Sequence, residues 1–440
     1  MSKNAFRRLS AAFKPTAPKP AGPTSVPESA PSSLAAFLLQ SKDKFLNDLH
    51  ASESPSRGIE WTLAMGNEAG DLDSIASSIA FAWVRSEVHK KPSIPLIQTD
   101  KEDLNLRAEN LYAFKLAGIA DPAKELLTSS DAPFSGTNSF ALVDHNRLGA
   151  AFAEGNPTVV AVIDHHEDEN LYTETADPRK IAPAGSCASH VTMVYAKDAP
   201  LPTELATLLL CAILIDTDGL RPGGKALQVD REAVAHLLPL STFAVGFSPE
   251  ATLPPQIKQL SDDLAARKSD VSHLAPWDLL RRDYKEYTYT LPWHADGATV
   301  KAGLSTVPVK LKACGGGSGA LEKDALRWME QQELTILGVL TSFRDTSKGV
   351  KRIGKKEGKH KREMAWFVRV RDGDGPDADT IAARLWKGLE ADAEIRVKLH
   401  KMKLLVDANG VHGRVYKQGN AKATRKATAP LLKNIMESAS

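Results

Sequence analysis

Short apolar runs alternate with helix-like segments over the first half of the chain. Three runs, at 61–65, 140–143 and 159–163, have the composition of buried strands, and each ends in a polar cluster. Segments of helical periodicity, such as 74–89, lie between them. Continuous apolar strands joined by crossover helices are typical of a parallel sheet covered on both faces. We therefore predict an α/β fold whose reactive groups gather at the carboxyl ends of the strands.

The same patterns divide the chain into regions. We predict a disordered basic tail at 1–30, a first domain at 31–240, a linker that serves as a hinge at 241–255, and a smaller α/β domain at 256–436. In the second domain the predicted strands lie at 300–310 and 366–371, and the predicted helices at 321–333 and 379–389. Residues 346–363 are rich in lysine, arginine and glycine and show no apolar periodicity, which predicts a mobile basic loop.

The composition is that of a soluble globular protein. The chain has 440 residues, of which 42% are apolar and 25% charged. Three scattered cysteines favour a reducing compartment, and the longest apolar stretch, 208–215, is too short for a membrane span. We expect a monomeric cytoplasmic protein without a membrane partner. Because the tail is basic and poor in acidic residues, a mitochondrial transit peptide is the alternative.

The net charge of +2 conceals a separation of charge along the chain. Residues 31–240 hold 17 basic and 29 acidic residues, whereas residues 241–440 hold 34 basic and 24 acidic ones. An acidic region suits metal cations and a basic region suits a polyanion, so the expected substrate lies between the two. No nucleic-acid partner is expected.

Four clusters carry the candidate chemistry: Gly-Asn-Glu-Ala-Gly-Asp-Leu-Asp-Ser at 66–74, Val-Asp-His-Asn at 143–146, Val-Ile-Asp-His-His at 162–166 and Ile-Asp-Thr-Asp at 215–218. Taken singly, each aspartate could be a helix cap and each histidine a solvated loop residue. Carboxylates gathered at one edge repel each other unless a cation binds among them. Carboxylate and imidazole ligands suit Mg²⁺, Mn²⁺ or Co²⁺, and two such ions support phosphoryl hydrolysis.

In their order along the chain, these clusters resemble the motifs of the DHH phosphoesterase superfamily, which is named for its Asp-His-His. The segment at 185–190 is similar to the family's Gly-Ser-x-x-Ser segment. The C-terminal half, with Gly-Leu-Ser-Thr-Val at 303–307 and Thr-Arg-Lys at 424–426, resembles the DHHA2 domain of family II inorganic pyrophosphatases and fungal exopolyphosphatases. This resemblance implies a DHH domain, a smaller DHHA2 domain and an active site in the cleft between them.

The resemblance also implies roles for individual residues. It assigns two divalent ions to the ligands Asp71, Asp73, Asp144, His165 and Asp216. His166 would face the substrate phosphate, Asp164 would orient His165, and His145 would be an outer or weak ligand. Lys268, Arg425 and Lys426 would grip phosphate, for which guanidinium and ammonium groups are suited. For any one of these cations, a solvated surface charge is the plainer interpretation.

One position departs from the pyrophosphatase pattern. Asn67 stands where those enzymes have the leading histidine of their first motif. Asparagine is a poor ligand for a transition metal but a good hydrogen-bond partner, so one metal position should be weaker and more tolerant of Mg²⁺. The resemblance places Asn67 and the segment 279–285 in the exopolyphosphatase branch.

The resulting hypothesis is a hydrolase that removes terminal orthophosphate from inorganic polyphosphate, or that cleaves another phosphoanhydride. An inorganic pyrophosphatase with the same metals is the nearest alternative. A DHH nuclease acting on short oligonucleotides ranks third, because Gly-Gly-Gly-Ser-Gly at 315–319 lies in an otherwise unmatched context. The alternative that is not an enzyme is a scaffold protein without catalytic activity, and the intact Asp-His-His motif argues against it.

Overall fold

The computed structural model describes most of the chain beyond its first 32 residues. The described residues are 33–50, 60–131, 134, 137–198, 200–294, 297–345, 351–352, 355–356, 358–370, 377–406 and 410–438. The predicted tail at 1–30 lies outside them. Described helices in the first half are α1 Ser33–His50, α2 Leu72–Trp83, α3 Ala108–Leu116, α4 Pro122–Glu125, α5 Cys187–Tyr195, α6 Thr203–Asp216 and α7 Gln228–Leu237. Described strands there are β1 Thr62–Met65, β2 Ser93–Ile97, β3 Leu127–Thr128, β4 Ser139–Val143, β5 Thr158–Asp164 and β6 Arg179–Ile181.

The first sheet is parallel throughout, which confirms the prediction. Its strand order is β3-β2-β1-β4-β5-β6. Successive residues of each strand point to opposite faces, so Ala64 and Ala141 pack against the helices of one core while Leu63 and Leu142 pack in a second core. Burial on both faces explains why these strands read as continuous apolar runs.

The second half contains its own sheet. Its described helices are α8 Pro255–Ser269, α9 Pro276–Arg282, α10 Ala320–Gln331, α11 Ala378–Ala391 and α12 Arg425–Glu437. Its described strands are β7 Tyr284–Thr290, β8 Thr299–Val307, β9 Ile336–Thr341, β10 Phe343–Asp345, β11 Lys351–Arg352, β12 Lys355–Lys356, β13 Lys359–Arg369, β14 Val397–Leu399 and β15 Val411–Gln418. The sheet order is β14-β15-β13-β9-β8-β7, and β10 pairs with β13.

This second sheet is mixed, with β8 and β9 parallel and the other described pairs antiparallel. Trp366 faces a core that includes residues of α11 and α12, whereas its neighbour Phe367 faces a core that includes residues of α9 and α10. Two sheets, each with its own cores, give the predicted α/β architecture.

The predicted basic loop at 346–363 is partly strand. Residues 346–350, 353–354 and 357 lie outside the described residues, but β11 and β12 form a short hairpin and β13 begins at Lys359. Lys361 and His360 pair with Phe343 and Arg344 of β10. The loop prediction was therefore wrong for 359–362, because strand pairing fixed this segment in spite of its charge.

The predicted linker at 241–255 precedes α8, and its boundaries stay a prediction. Ile257, Leu260 and Leu264 of α8 pack in the core of the first sheet, at helical spacing. Elements that follow the predicted linker therefore still contribute to the first core.

None of the helices in the described ranges is long and apolar enough to cross a membrane.

Candidate active site

The register of the first sheet brings three of the four sequence clusters together. Met65 pairs with Leu142, and Val143 pairs with Ile163, so the residues that follow β1 and β4 lie next to the end of β5. The fourth cluster follows a helix and not a strand. Asp216 is the last residue of α6, a helix that is buried on nearly all sides, so the apolar run before it is helical.

Asp144 lies at the centre of the site. Its backbone has a φ of 61°, and its carboxylate is buried. Oδ2 accepts hydrogen bonds from Nδ2 of Asn67 at 2.7 Å and from Oγ of Ser74 at 2.5 Å, while Oδ1 lies 3.2 Å from Nε2 of His165. Burial alone would raise the pKa of Asp144, but the hydrogen bond and charge of His165, supported by His166 and Ser74, hold it at about 2.

The two histidines of the third cluster have different partners. Nδ1 of His165 lies 3.1 Å from the backbone oxygen of Ala184, whereas Nδ1 of His166 lies 2.8 Å from Oδ1 of Asp164. From His165, the Asp164 carboxylate accepts a hydrogen bond from the backbone N–H, at 2.7 Å, and none from the imidazole ring. The prediction that Asp164 orients the His165 ring was therefore wrong: the ring of His165 turns towards Ala184, and Asp164 orients His166.

Asp144, His165 and His166 form a candidate ligand group. One ligand atom from each lies within 4.8 Å of the others, and the group could hold a metal ion. Burial would lower the pKa of His165, but the hydrogen bond to Asp144 and the charge of Asp73 raise it to about 9. The imidazole therefore carries a proton that a bound metal ion would displace.

The aspartates of the first cluster also accept hydrogen bonds from backbone N–H groups at the starts of helices. Oδ1 of Asp71 accepts the backbone N–H of Ser74 at 3.0 Å, which caps α2. Asp73 accepts the backbone N–H groups of Cys187 and Ala188 at 2.7 and 2.8 Å, at the start of α5. Both carboxylates nevertheless lie close enough to Asp144 for its charge to act on them.

The crowding of carboxylates at the site raises the pKa values of two of them. Burial, followed by the charges of Asp144 and Asp216, raises the pKa of Asp71 and, more strongly, that of Asp73. These are the residues that the sequence predicts as ligands, together with His165. A cation among them would relieve the repulsion, so the donor set fits divalent metal.

The predicted phosphate-binding cations differ in their surroundings. Nζ of Lys268 lies 3.3 Å from Oδ1 of Asp216. Arg425 directs Nη2 to Oδ1 of Asp283 at 2.9 Å and Nη1 to the backbone oxygen of the same residue at 3.1 Å. Lys426 instead lines the cavity beside the candidate ligand group, the central cavity, and forms no ion pair with any described residue. Of the three cations, Lys268 therefore contacts a predicted ligand, Arg425 contacts Asp283, and Lys426 alone has no carboxylate partner among the described residues.

His145 turns one nitrogen inward and leaves the other without a partner. Its Nδ1 lies 2.9 Å from the backbone oxygen of Val143, and its buried Nε2 has no hydrogen-bond partner among the described residues. Burial lowers its pKa. His145 lines the central cavity and is absent from the candidate ligand group.

A buried ion network that sequence reasoning missed connects the two halves. Arg107 donates through Nη2 to the backbone oxygen of Ala69 at 2.7 Å, beside the first cluster. The carboxylate of Glu109 accepts a hydrogen bond of 2.8 Å from Nη2 of Arg282. The charges of Arg425, Arg107 and Arg282 outweigh burial and hold the pKa of Asp283 at about 2. The segment 279–285 was noticed in the sequence as a family feature, but nothing in it indicated these partners.

The central cavity has a volume of about 1390 Å³ and opens beside the candidate ligand group. Residues from both halves line it, including Asp144, His165 and His166 from the first and Lys285, Tyr287 and Lys426 from the second. Small-molecule pockets typically measure about 300–1,000 Å³. The cavity therefore has room for a substrate larger than a two-phosphate ion.

Family models match both halves of the chain. The model described as "DHH family, N-terminal domain" matches residues 61–213, and the model described as "DHHA2 domain" matches residues 262–435. The first range contains every candidate ligand except Asp216, and the second contains Lys268, Arg425 and Lys426.

Two relatives align with nearly the whole of this chain, and a third aligns with about a third of it. A Schizosaccharomyces pombe protein named "Putative exopolyphosphatase" is 26% identical over 91% of this chain and 97% of its own. The Rattus norvegicus protein "Exopolyphosphatase PRUNE1" is 26% identical over 90% of this chain and 79% of its own. A Streptococcus agalactiae protein named "Probable manganese-dependent inorganic pyrophosphatase" is 31% identical, over 35% of this chain and 48% of its own.

The fold has a counterpart among solved structures. A Methanococcus jannaschii protein described as a "putative family II inorganic pyrophosphatase" superposes with a TM-score of 0.53 at 19% identity, covering 85% of this chain and 99% of that one. At this identity the likeness concerns the fold.

Proposed function

The chain belongs to the DHH family and carries a DHHA2 domain, and from that premise we propose that it is a metal-dependent exopolyphosphatase. It hydrolyses phosphoanhydride bonds and removes terminal orthophosphate from inorganic polyphosphate. The observation that carries the proposal is that Lys426 and the group of Asp144, His165 and His166 line one cavity of about 1390 Å³. Exopolyphosphatase names among relatives that align over nearly the whole chain support this choice of substrate.

Two divalent ions, Mg²⁺ or Mn²⁺ with Co²⁺ as a further candidate, are the proposed cofactors. Their proposed ligands are Asp71, Asp73, Asp144, His165 and Asp216. Such ions supply positive charge to phosphoryl oxygens and lower the pKa of water, which provides the attacking nucleophile. The manganese-dependent relative supports divalent metal, as does the mutual repulsion of these carboxylates.

The side chains of the site have complementary tasks in this proposal. Asp164 holds Nδ1 of His166, which leaves Nε2 free to donate to a phosphoryl oxygen when the ring is protonated. Lys426, with Lys268 and Arg425, stabilises the charge that develops on the transferring phosphoryl group. Asn67 and Ser74 fix one oxygen of Asp144.

The proposed compartment is the cytoplasm, for which the three cysteines, all free and buried, are suited. The proposed assembly is a monomer.

A phosphate-release assay tests the function. The purified chain is given pyrophosphate, tripolyphosphate and long-chain polyphosphate, with Mg²⁺ and Mn²⁺ in turn, and kcat/KM is compared. We expect the highest value for a substrate of three or more phosphates. A clear preference for pyrophosphate would instead establish the alternative, an inorganic pyrophosphatase, which the 31% identical relative favours.

The site assignment has a matched control in the fourth cluster. Asp216→Asn should lower kcat by at least about 100-fold, because a proposed metal ligand is lost. Asp218→Asn changes an exposed carboxylate of the same cluster and should leave kcat within a few-fold of wild type. Equal rates for the two variants would show that the site is misassigned.

A further inference from the structure

Two lysines of the central cavity have no carboxylate partner in the described part of the chain. Of the cations that line it, only Lys285 and Lys426 form no ion pair with the described residues. The remaining lining cations are paired, namely Arg107 with Glu109, Arg147 with Glu169, Arg281 with Asp103, Arg282 with Glu109 and Lys433 with Glu437. Unpaired cations in a shared cavity favour the binding of an anion that neutralises their charge.

Lys285 comes from the second sheet. It lies on β7, paired with Leu304 of β8, and its side chain is only partly exposed. It lines the central cavity together with Lys426, and its positive charge contributes to lowering the pKa of Lys426.

Two ammonium groups from separate elements, β7 and α12, thus line one cavity without a counterion among the described residues. An anion in the cavity would offset this charge. Lys426 is one of the cations proposed to bind the scissile phosphoryl group, so a phosphate held by Lys285 in the same cavity would lie further along the polyphosphate chain.

We propose that Lys285 binds a phosphate group beyond the leaving phosphate, and so selects substrates of three or more phosphates over pyrophosphate. This inference rests on the proposed function and deepens it. Nothing but charge and oxygen atoms is needed from the ligand, so the recognised class is a linear chain of condensed phosphates. Flexible lysines suit this task because successive phosphates present many equivalent oxygens.

The experiment compares chain lengths in lysine variants. For wild type, Lys285→Met and Lys285→Arg, kcat/KM is measured with pyrophosphate and with tripolyphosphate. Lys285→Met should lower the value for tripolyphosphate by about tenfold or more, which is the scale of a lost charge-assisted hydrogen bond, and lower that for pyrophosphate by less than about threefold. Lys285→Arg should restore most of the loss.

Lys398→Met is the matched control, because Lys398 is an exposed lysine of β14, at the far edge of the same sheet. It should leave both values within about twofold of wild type. An equal loss for both substrates in Lys285→Met would overturn the inference, since a residue that only supports the fold or the overall charge of the cavity would act on both. Unchanged values would overturn it as well.

Binding to the metal-free protein separates this inference from the proposed function. Calorimetry in the presence of a chelator should show tripolyphosphate binding more tightly than pyrophosphate, and Lys285→Met should remove that difference. If wild type binds in this way but releases no phosphate from tripolyphosphate, the proposed function fails and the inference stands. If wild type hydrolyses tripolyphosphate and Lys285→Met keeps its chain-length preference, the inference fails alone.

Discussion

The side-chain amide of Asn67 donates a hydrogen bond of 2.7 Å to Oδ2 of Asp144, and a second one of 3.0 Å to the backbone oxygen of the same residue. A neutral amide thus occupies the place where a pyrophosphatase motif has a histidine. Because the amide binds the carboxylate through N–H, it fixes the direction of the other oxygen, Oδ1, towards His165.

Asn67→His should change the preference for metal. An imidazole adds a ligand that suits transition ions, so we expect Mn²⁺ to bind at least about tenfold more tightly while Mg²⁺ changes little. Calorimetric titration with each ion measures this. Asn67→Ala removes the hydrogen bonds without adding a ligand, and it should weaken binding of both ions; tighter Mn²⁺ binding in Asn67→Ala would contradict the explanation.

Asp144→Asn should remove activity while keeping the fold. Asparagine tolerates the positive φ of 61° at this position, so the backbone need not rearrange. The loss of a central carboxylate should lower kcat by at least about 100-fold and abolish tight Mn²⁺ binding. Phosphate release, metal titration and Tm measure the three effects, and a large fall in Tm would mean that the loss of activity reflects unfolding.

Arg425 and Lys426 are neighbours with opposite expected effects. Arg425→Met leaves the Asp283 carboxylate without its closest partner, and should destabilise the protein by about 1–3 kcal/mol, because Arg107 and Arg282 still offset part of the charge. Lys426→Met removes a cation that has no described ion pair, and should alter stability by less than about 0.5 kcal/mol while lowering kcat/KM by about 100-fold. Urea unfolding and steady-state kinetics separate the two; similar stability losses would contradict the assignment.

The pair of Asp144 and His165 makes the stability of the metal-free protein depend on pH. His165 has a folded pKa of about 9, above its ordinary value of 6.5, so its contribution is complete below pH 6.5 and lost as the pH rises through 9. The loss should be on the order of 3 kcal/mol. Unfolding in chelator from pH 6 to 9.5 measures it, and His165→Gln should flatten the profile.

The proton on the imidazole of His165 should be released when a metal ion binds. Because a metal ion needs the neutral imidazole of His165, each ion bound there should release about one proton below pH 9, and affinity should rise with pH over that interval. Calorimetry in buffers of different ionisation enthalpy counts the proton. Binding of equal strength at pH 6.5 and 8.5 would show that His165 is not a ligand.

Glu109 joins the two halves of the chain through Arg282 and Arg107, and all three side chains are buried. Glu109→Gln leaves two buried guanidinium groups without their shared carboxylate, so we expect a loss of about 3–5 kcal/mol. The exposed Glu102→Gln serves as the control and should change stability by less than about 0.5 kcal/mol. Urea unfolding measures both, and a small effect of Glu109→Gln would mean that the network contributes little.

Much of the fold was accessible from the sequence, since apolar runs and their periodicity are local properties. The strands at 61–65, 140–143 and 159–163 were predicted within one or two residues of β1, β4 and β5. Their parallel arrangement followed from burial on both faces. The segment 346–363 shows the limit, because pairing of β13 with β10 overrode a composition typical of loops.

By itself, the sequence determined the kinds of chemistry available: clustered carboxylates and imidazoles after buried runs, a separate basic region, and motifs that named a family. Only the tertiary structure decided the partners. It paired Asp283 with Arg425 and Asp73 with the start of α5, and among the described residues it left Lys285 and Lys426 without a carboxylate partner. The physical reason is that these contacts join residues of different elements more than 100 positions apart, so that the register and packing of whole elements fix them, and local patterns carry no record of that packing.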